Sequence, residues 1–429
     1  MSSSIIPTAR TLPAVERIGL IDRACRRVLL RQLDRIRDAQ ITLLEDGQRL
    51  TFGHAQGNAP RCTLTVHHPR FYRDAVLGGH LAAAEGYIHG LWHCDDLTAL
   101  VRVFARNLSL SDQMDKLSVR LGGALLKLGH HFNRNTLSGS RDNIAAHYDL
   151  GNDFFELLLD PTLCYSCAVF ESPEVSLMDA QVAKLDRLID KLGLDEHQHL
   201  LEIGTGWGAL AVRAAQRTGC RVTTTTLSQQ QYDHAEKLIA ENNLGDQIRL
   251  LKRDYRELDG QYDKLVSVEM LEAVGHQFYG QFFEACARLL KPTGRGVIQT
   301  ITIPDERYDA ARKCVDFIKK YVFPGSCIPS IGILREAMAN TSDLKLTHLE
   351  EFGTHYATTL NHWAANLHAN RERVMARGYP KELLRLWDFY LAYCEGGFIE
   401  RNIGLAQIEV RRAGCNDTPL ALEPIGAMA

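Results

Sequence analysis

The run Glu202-Ile203-Gly204-Thr205-Gly206-Trp207-Gly208 places three glycines at alternate positions between a stretch that reads as a strand and one that reads as a helix. Glycine there permits a tight turn and lets backbone amides approach a ligand at the carboxyl edge of a strand. With Ala209 the run also satisfies G-x-G-x-x-A, the dinucleotide fingerprint. A nicotinamide enzyme would then carry an acid about 20 residues on, at the end of the second strand, to hold the adenosine ribose. This chain has Thr224, Thr225, Thr226, Leu227 and Ser228 instead, followed by Gln229, Gln230 and Gln231, which weakens the dinucleotide reading. A β-branched strand is enough to explain Thr223 and Thr224. Cys164 and Cys167 form a lone C-x-x-C, without the second ligand pair or thioredoxin-like context that a zinc or redox role needs. The pairs His67–His68 and His130–His131 also lack ligand spacing, so no metal is expected.

The elements around the glycine turn alternate. HLLEIG (199–204), RVTTTT (221–226), IRLLKRD (248–254), YDKLVSVE (262–269) and GRGVIQTITI (294–303) predict strands. Helical patterns fall at 208–217, 229–242 and 277–290. Such alternation implies an α/β, doubly wound, mostly parallel sheet with helices on both faces. Long helical stretches near 357–376 and 381–396 and a last strand at 403–412 follow. Upstream, residues 15–39 carry apolar side chains at helical spacing with seven arginines, three aspartates and one glutamate. This predicts a basic amphipathic helix, suited either to an anionic membrane or to packing on its own domain. Residues 41–52 and 62–68 suggest a small sheet, a helix reaches Asn107, and 116–135 form a second basic, partly apolar segment. A Ser/Gly/Asn-rich junction at 135–141 divides the chain into a smaller α+β domain at 1–141, a larger domain at 142–415 and a tail at 416–429.

Composition supports a folded protein. Of 429 residues, 45% are hydrophobic and 24% charged, which excludes wholesale disorder and low-complexity architectures. The net charge of −3 is unevenly spread: residues 1–141 hold 19 Lys/Arg against 12 Asp/Glu, and the rest 30 against 40. A basic first domain points to nucleic acid, a membrane or another anion. No secretory signal pattern or membrane-spanning run is visible, so membrane contact would be peripheral. Eleven scattered cysteines read as reduced thiols in the cytoplasm.

Several motifs, in order, identify a family. They are NIAAHYDLGNDFFELLLDPTLCYSCAVF (143–170), the glycine turn with its acidic lead-in, Thr-Leu-Ser-x-x-Gln (226–231), EMLEAVG (269–275) and DFIKKYVFPGSCIPS (316–330). Together they resemble the cyclopropane-fatty-acyl-phospholipid synthases, including the mycolic acid cyclopropane synthases, over roughly 143–412. EGYIHGLWHCDDL (85–97) resembles the smaller N-terminal domain of the bacterial phospholipid enzymes. The resemblance implies a class I methyltransferase-like sheet and S-adenosyl-L-methionine as cofactor. It implies an unsaturated phospholipid as substrate and a homodimer working peripherally at the inner face of a membrane. Cofactor contacts then fall on Tyr165 and Ser166, and on Leu201, Glu202, Ile203, Gly204, Thr205, Gly206, Trp207 and Gly208. They continue on Thr226, Leu227, Ser228, Gln229, Gln230, Gln231, Asp254, Tyr255 and Val268. Turn amides would hold the cofactor's carboxylate, Thr226 and Gln231 its ribose, and Asp254 its adenine amino group.

In the family reaction the π electrons of a cis double bond attack the sulfonium methyl, and the resulting cation loses a proton to a bound bicarbonate. The resemblance carries the bicarbonate-holding positions to Cys167, Glu272, Gln299 and Tyr321, and a long-assigned active-site cysteine to Cys394. A lining role suits Cys394 better than a nucleophilic one, since this mechanism gives a thiol no covalent step. Two positions depart from the pattern. Gln299 stands where well-known members have histidine, and Ala273 where histidine is frequent. An amide hydrogen-bonds an anion but cannot take up a proton. Either bicarbonate remains, held more weakly, or a carboxylate such as Glu272 acts directly. Ring closure is therefore the first expectation and a methyl-branched or methyl-olefin product the alternative. Phe154, Phe155, Tyr279, Phe282 and Phe283 would line an acyl channel or simply form core. A non-catalytic lipid-binding role and a nucleic-acid methyltransferase are disfavoured, the first by the nearly complete site and the second by the missing Asp/Asn-Pro-Pro-Tyr-like tetrapeptide.

Overall fold

A computed structural model describes residues 19–110, 113, 150–415 and 422–426, and the chain divides into two compact units. The first takes its described N-terminal residues together with 315–322 and 363–402. Its sheet has the order β2-β1-β3-β4, with β1 Ala39–Glu45, β2 Gln48–His54, β3 Arg61–Val66 and β4 Trp92–Cys94. Asp46 and Gly47, at φ 45° and 74°, make the two-residue turn that pairs β1 with β2. Both positions need positive φ in such a hairpin, and Asp-Gly tolerates it.

The helix Leu20–Leu33 buries Cys25, Leu29 and Leu33 in this unit's own core. Arg26 is spent on Glu45, which also accepts from Tyr72. Arg23, Arg27 and Arg31 stay exposed, as do Leu20 and Ile21. The basic segment 116–135 and the junction 135–141 lie outside the described residues. A linear division at 141 is not how the described chain packs, because the helix Lys381–Ile399 belongs to the first unit. It lies against the helix Leu97–Arg106 at Gly396, where a Cβ would come within 2.7 Å of Val101. Thr98 donates to Glu395 at 2.7 Å, and Arg102 and Arg106 both pair with Glu400. Long-range pairing of this kind leaves no local sequence signal.

The second unit holds a seven-stranded sheet, β5 His199–Ile203, β6 Arg221–Thr225, β7 Ile248–Leu251, β8 Tyr262–Val268, β9 Leu290–Thr302, β10 Lys345–Glu351 and β11 Gly404–Arg411. The order is β10-β11-β9-β8-β5-β6-β7. Strands β5 to β9 run parallel to one another, whereas β11 is antiparallel to both β9 and β10. Chain direction around the sheet reverses at β5, which has β6 on one side and β8 on the other. Open α/β sheets bind ligands at that point, outside the carboxyl ends of the strands. Edge strand β10 is absent from the sequence expectation because its mostly exposed KLTHLEE lacks an apolar face.

Helix Leu177–Leu192 begins at Ser176, whose hydroxyl accepts from the Asp179 amide, and ends at Gly193 in the left-handed region. It presents Arg187 and Lys191 to Glu350 of β10, at 2.6 and 2.7 Å. The Ile425 amide also donates to Glu350 at 2.8 Å, tying 422–426 to the sheet edge. These partners outweigh burial and hold the Glu350 carboxyl down at about 2. A depressed carboxyl contributes stability above its unfolded pKa that is lost as pH falls through the folded one. Glu350→Gln is expected to cost about 2 kcal/mol at neutral pH, a difference that shrinks between about pH 4.5 and 2. Urea melts of both proteins across that range check it; a gap that does not narrow would contradict the assignment.

Candidate active site

The turn after β5 is built for close approach. Gly204, Gly206 and Gly208 have φ of 101°, 55° and 98°. A Cβ at Gly208 would sit 3.1 Å from Ala235 Cβ, whereas at Gly206 it would meet nothing within 4 Å. Gly208 thus brings the turn close to the helix Gln229–Glu241, and Gly206 faces open space at the N-terminus of helix Ala209–Thr218. A helix N-terminus suits an anionic group, although the Gly204 and Thr205 amides already donate to the Thr225 carbonyl and the Gly208 amide to that of Thr205.

Glu202 is 3% exposed and accepts from Thr224 at 2.6 Å; Thr224 in turn bonds Thr205 at 2.7 Å. Burial pushes the Glu202 carboxyl up to about 8, against the lowering effects of Thr224 and Lys184. Leu201 and Ile203 alternate into the hydrophobic core. Trp207 donates to Asn152 at 2.8 Å and packs at a tilt against Phe155, which also meets Tyr165. After β6, Thr226 donates to Gln231 at 2.8 Å, and Ser228 caps the helix Gln229–Glu241. Leu227 follows the carboxyl end of that strand, and the Gln230 carbonyl accepts from Asn152. Gln229 turns outward to Asp233 and Lys252.

Asp254 is less available than expected. Arg256 grips both its oxygens at 2.8 and 2.7 Å, leaving only residual acceptor capacity for an adenine amino group. Tyr255 is buried with no partner for its hydroxyl among the described residues.

The second cluster gathers around the end of β8. Val268 pairs with Gln299 of β9, which pairs with Gln407 of β11. The Gln299 amide donates to Glu269 Oε1 at 2.8 Å and toward the Cys167 carbonyl at 3.4 Å, and accepts from Gln407 at 2.9 Å. Glu269 Oε1 also accepts from the Cys167 amide at 2.9 Å, and Oε2 from the Tyr356 hydroxyl at 2.6 Å. Glu272 Oε1 accepts from Thr300 and the Ile301 amide, while its Oε2 is buried with no partner among the described residues. Burial and the neighbouring Glu269 charge push Glu272 up to about 8. Burial raises Glu269 as well, opposed by Tyr356, Cys167, Gln299 and the field of Lys184. Lys184 is itself 1% exposed and donates to Ser166 at 2.9 Å.

Cys167 and Gln299 are therefore brought together at Glu269, with Glu272 three residues further along the chain, in the helix Leu271–Val274. Tyr321 and Cys394 belong to the first unit. The Tyr321 hydroxyl donates to Glu85, and the tyrosine in the cluster is Tyr356. Burial pushes the Cys394 thiol well up, which opposes a nucleophilic role. Tyr279, Phe282 and Phe283 are core residues, and the Tyr279 hydroxyl donates to the Cys327 carbonyl. Sequence reasoning missed Glu269, Lys184 and Tyr356. Lys184 left a trace, a charge on the face that Ala180, Leu185 and Leu188 bury. Among the described residues no metal-holding cluster occurs.

A scan against family models matches residues 136–408 to the description "Mycolic acid cyclopropane synthetase". The chain belongs to that family. It is 36% identical to the tuberculostearic acid methyltransferase UfaA1 of Mycobacterium tuberculosis, over 84% of this chain and 86% of that one. It is 34% identical to the cyclopropane-fatty-acyl-phospholipid synthase of Escherichia coli, over 83% and 89%. Among solved structures it resembles the mycolic acid cyclopropane synthase CmaA1 complexed with SAH and CTAB. There the TM-score is 0.60 and the identity 34%, covering 63% of this chain and 98% of that one. The sheet is that of a class I methyltransferase, and this family member is an S-adenosylmethionine-dependent methyltransferase. Its residues fit the cofactor: the glycine cradle has room, a buried carboxylate at Glu202 suits hydroxyl or cationic groups, and Thr226 with Gln231 offers paired polar atoms.

An acid with a raised folded pKa loses stability as pH climbs from its unfolded value to its folded one. Glu202→Gln and Glu272→Gln are each expected to flatten the fall in ligand-free stability between about pH 4.5 and 8, by on the order of 2 kcal/mol at the upper end. Thermal melts in a pH series measure this, and slopes equal to the parent's would reject it.

Proposed function

We propose that this enzyme transfers the methyl group of S-adenosylmethionine to a cis double bond of an unsaturated phospholipid acyl chain, closing a cyclopropane ring. The supporting observation is the carboxylate pair Glu269 and Glu272 at the carboxyl end of β8, beside the strand that carries the cofactor turn. When bound, the cofactor supplies an electrophilic methyl on a sulfonium. The chain's own residues then have three tasks. The turn from Gly204 to Gly208 fixes the cofactor, and positioning alone contributes much of the rate for such a transfer. The carboxylates, shielded from water, stabilise positive charge on the acyl chain. A group with acceptor capacity removes the proton whose bonding pair closes the ring.

A second reading uses the same site but ends with a methyl-branched or methyl-olefin chain. Gln299 favours it, since an amide cannot take up the proton, and so does the likeness to a tuberculostearic acid methyltransferase. Incubation with oleoyl or cis-vaccenoyl phospholipid, followed by NMR and mass spectrometry of the fatty esters, separates the two. Cyclopropane methylene signals are expected; a retained or shifted alkene bearing the new methyl would establish the second reading instead.

The reading includes docking at the cytoplasmic face of a membrane, with a homodimer as the working form. Leu20, Arg23, Arg27 and Arg31 share an exposed face of the first helix, with Ile21 beside it. Basic residues near an anionic surface contribute about 1 kcal/mol each. Reversing Arg23, Arg27 and Arg31 to glutamate is therefore expected to weaken binding to anionic vesicles by about tenfold or more, as salt also does. Flotation assays report this, and unchanged binding under both conditions would refute docking through this helix.

A further inference from the structure

The resemblance that motivates the proposed function supplies a bicarbonate ion as proton acceptor, but two of the positions it assigns to that ion, Cys167 and Gln299, already donate to a side chain, and Tyr356 donates to it as well. The Cys167 amide donates to Glu269 Oε1 at 2.9 Å, Gln299 donates to the same oxygen at 2.8 Å, and Tyr356 donates to Oε2 at 2.6 Å. A carboxylate and a bicarbonate present the same planar, two-oxygen acceptor edge. One backbone amide, one side-chain amide and one hydroxyl converging on that edge make an anion cradle, here filled by a side chain.

We infer that Glu269 is the enzyme's own proton acceptor, standing where the family mechanism would place bicarbonate. This assignment rests on the proposed carbocation chemistry.

The backbone agrees. Glu269 sits at φ 50°, in the left-handed region that few residues other than glycine adopt. Its amide donates to the Gln299 carbonyl at 2.7 Å, fixing where the strand leaves the sheet. A residue held there against its preference signals that surrounding contacts over-determine it, a pattern concentrated at functional sites. Shielding raises its pKa, as suits a carboxylate that must accept a proton, while the field of Lys184 opposes full neutralisation.

The step balances. The alkene pair forms a carbon–carbon bond to the methyl as the sulfur–methyl bond breaks, leaving S-adenosylhomocysteine and a carbocation on the chain. A C–H bond of the transferred methyl then breaks. Its electron pair closes the ring and its proton passes to a Glu269 oxygen, later leaving to water. Glu272, with one unpartnered oxygen, remains an electrostatic partner for the cation.

Two variants test this with S-adenosylmethionine and dioleoyl phosphatidylglycerol vesicles in carbonate-free buffer. The parent is expected to turn over at the same rate whether or not bicarbonate is added. Glu269→Gly opens the cradle and suits the positive φ; it is expected to lose about 100-fold in turnover and regain at least about tenfold with bicarbonate. Glu269→Gln fills the cradle with a side chain that cannot take up a proton, and is expected to lose as much with no rescue. Independently of turnover, 13C-bicarbonate line broadening is expected with Glu269→Gly and not with the parent. A parent that requires bicarbonate, an active Glu269→Gln, or a Glu269→Gly that binds no more bicarbonate than the parent would each overturn the assignment. If the parent consumes no cofactor with these lipids, the proposed function fails, and the binding comparison still decides whether Glu269 fills an anion cradle.

Discussion

The carboxylate of Glu269 joins segments that are distant in sequence. It takes the amide of Cys167 from the loop before helix Leu177–Leu192, the side chain of Gln299 from β9 and the hydroxyl of Tyr356 from helix Gly353–Ala369. Each of these donors is shielded, and a shielded donor left without its acceptor costs about 1–3 kcal/mol. The geometry of this edge of the sheet therefore depends on one charged group, and that group depends in turn on β8 delivering it at an unfavourable φ. Gln407 extends the arrangement by one strand, orienting the Gln299 amide so that its NH2 faces the carboxylate.

Electrostatics follows from the same placement. Glu202, Glu269 and Glu272 all gather at the carboxyl edge, and each is made less acidic by burial. Lys184 relieves Glu202 and Glu269 but not Glu272, for which the like charge of Glu269 adds to the burden. A site with surplus buried carboxylate is costly when empty and favourable when a cation enters. A sulfonium cofactor and a carbocation formed from it are both such cations. The stability lost by the empty site is then recovered as binding and as lowered barrier, in line with the view that preorganised charge is a main source of catalysis.

The parallel sheet and the glycine turn were legible because local rules generate them. Apolar strands alternating with amphipathic helices announce the sheet, and Gly204, Gly206 and Gly208 announce the turn after β5. What could not be read depends on packing between distant segments. Nothing near Tyr356 marks it as a site residue, whereas Tyr321 lies in a motif-rich stretch and drew the assignment; its hydroxyl is bonded to Glu85. Lys381–Ile399 carries a helical signal, yet no periodicity says that it pairs with Leu97–Arg106. Edge strand β10 escaped for a different reason, since an exposed strand has no need of the apolar alternation by which strands are recognised.

Gln299 looks at first like a loss of function, an amide where the family resemblance expects an imidazole. Its hydrogen bonds argue otherwise. It donates to Glu269 and toward the Cys167 carbonyl while accepting from Gln407, which makes three contacts. An imidazole has two ring nitrogens and cannot make three such bonds at once, while a primary amide has two N–H donors and two acceptor lone pairs. A protonated imidazole would also form an ion pair with Glu269 and weaken it as a base. The amide at 299 and the carboxylate at 269 are thus better understood as one feature: with an acid built into the strand end, the neighbouring position has to orient that acid without charging.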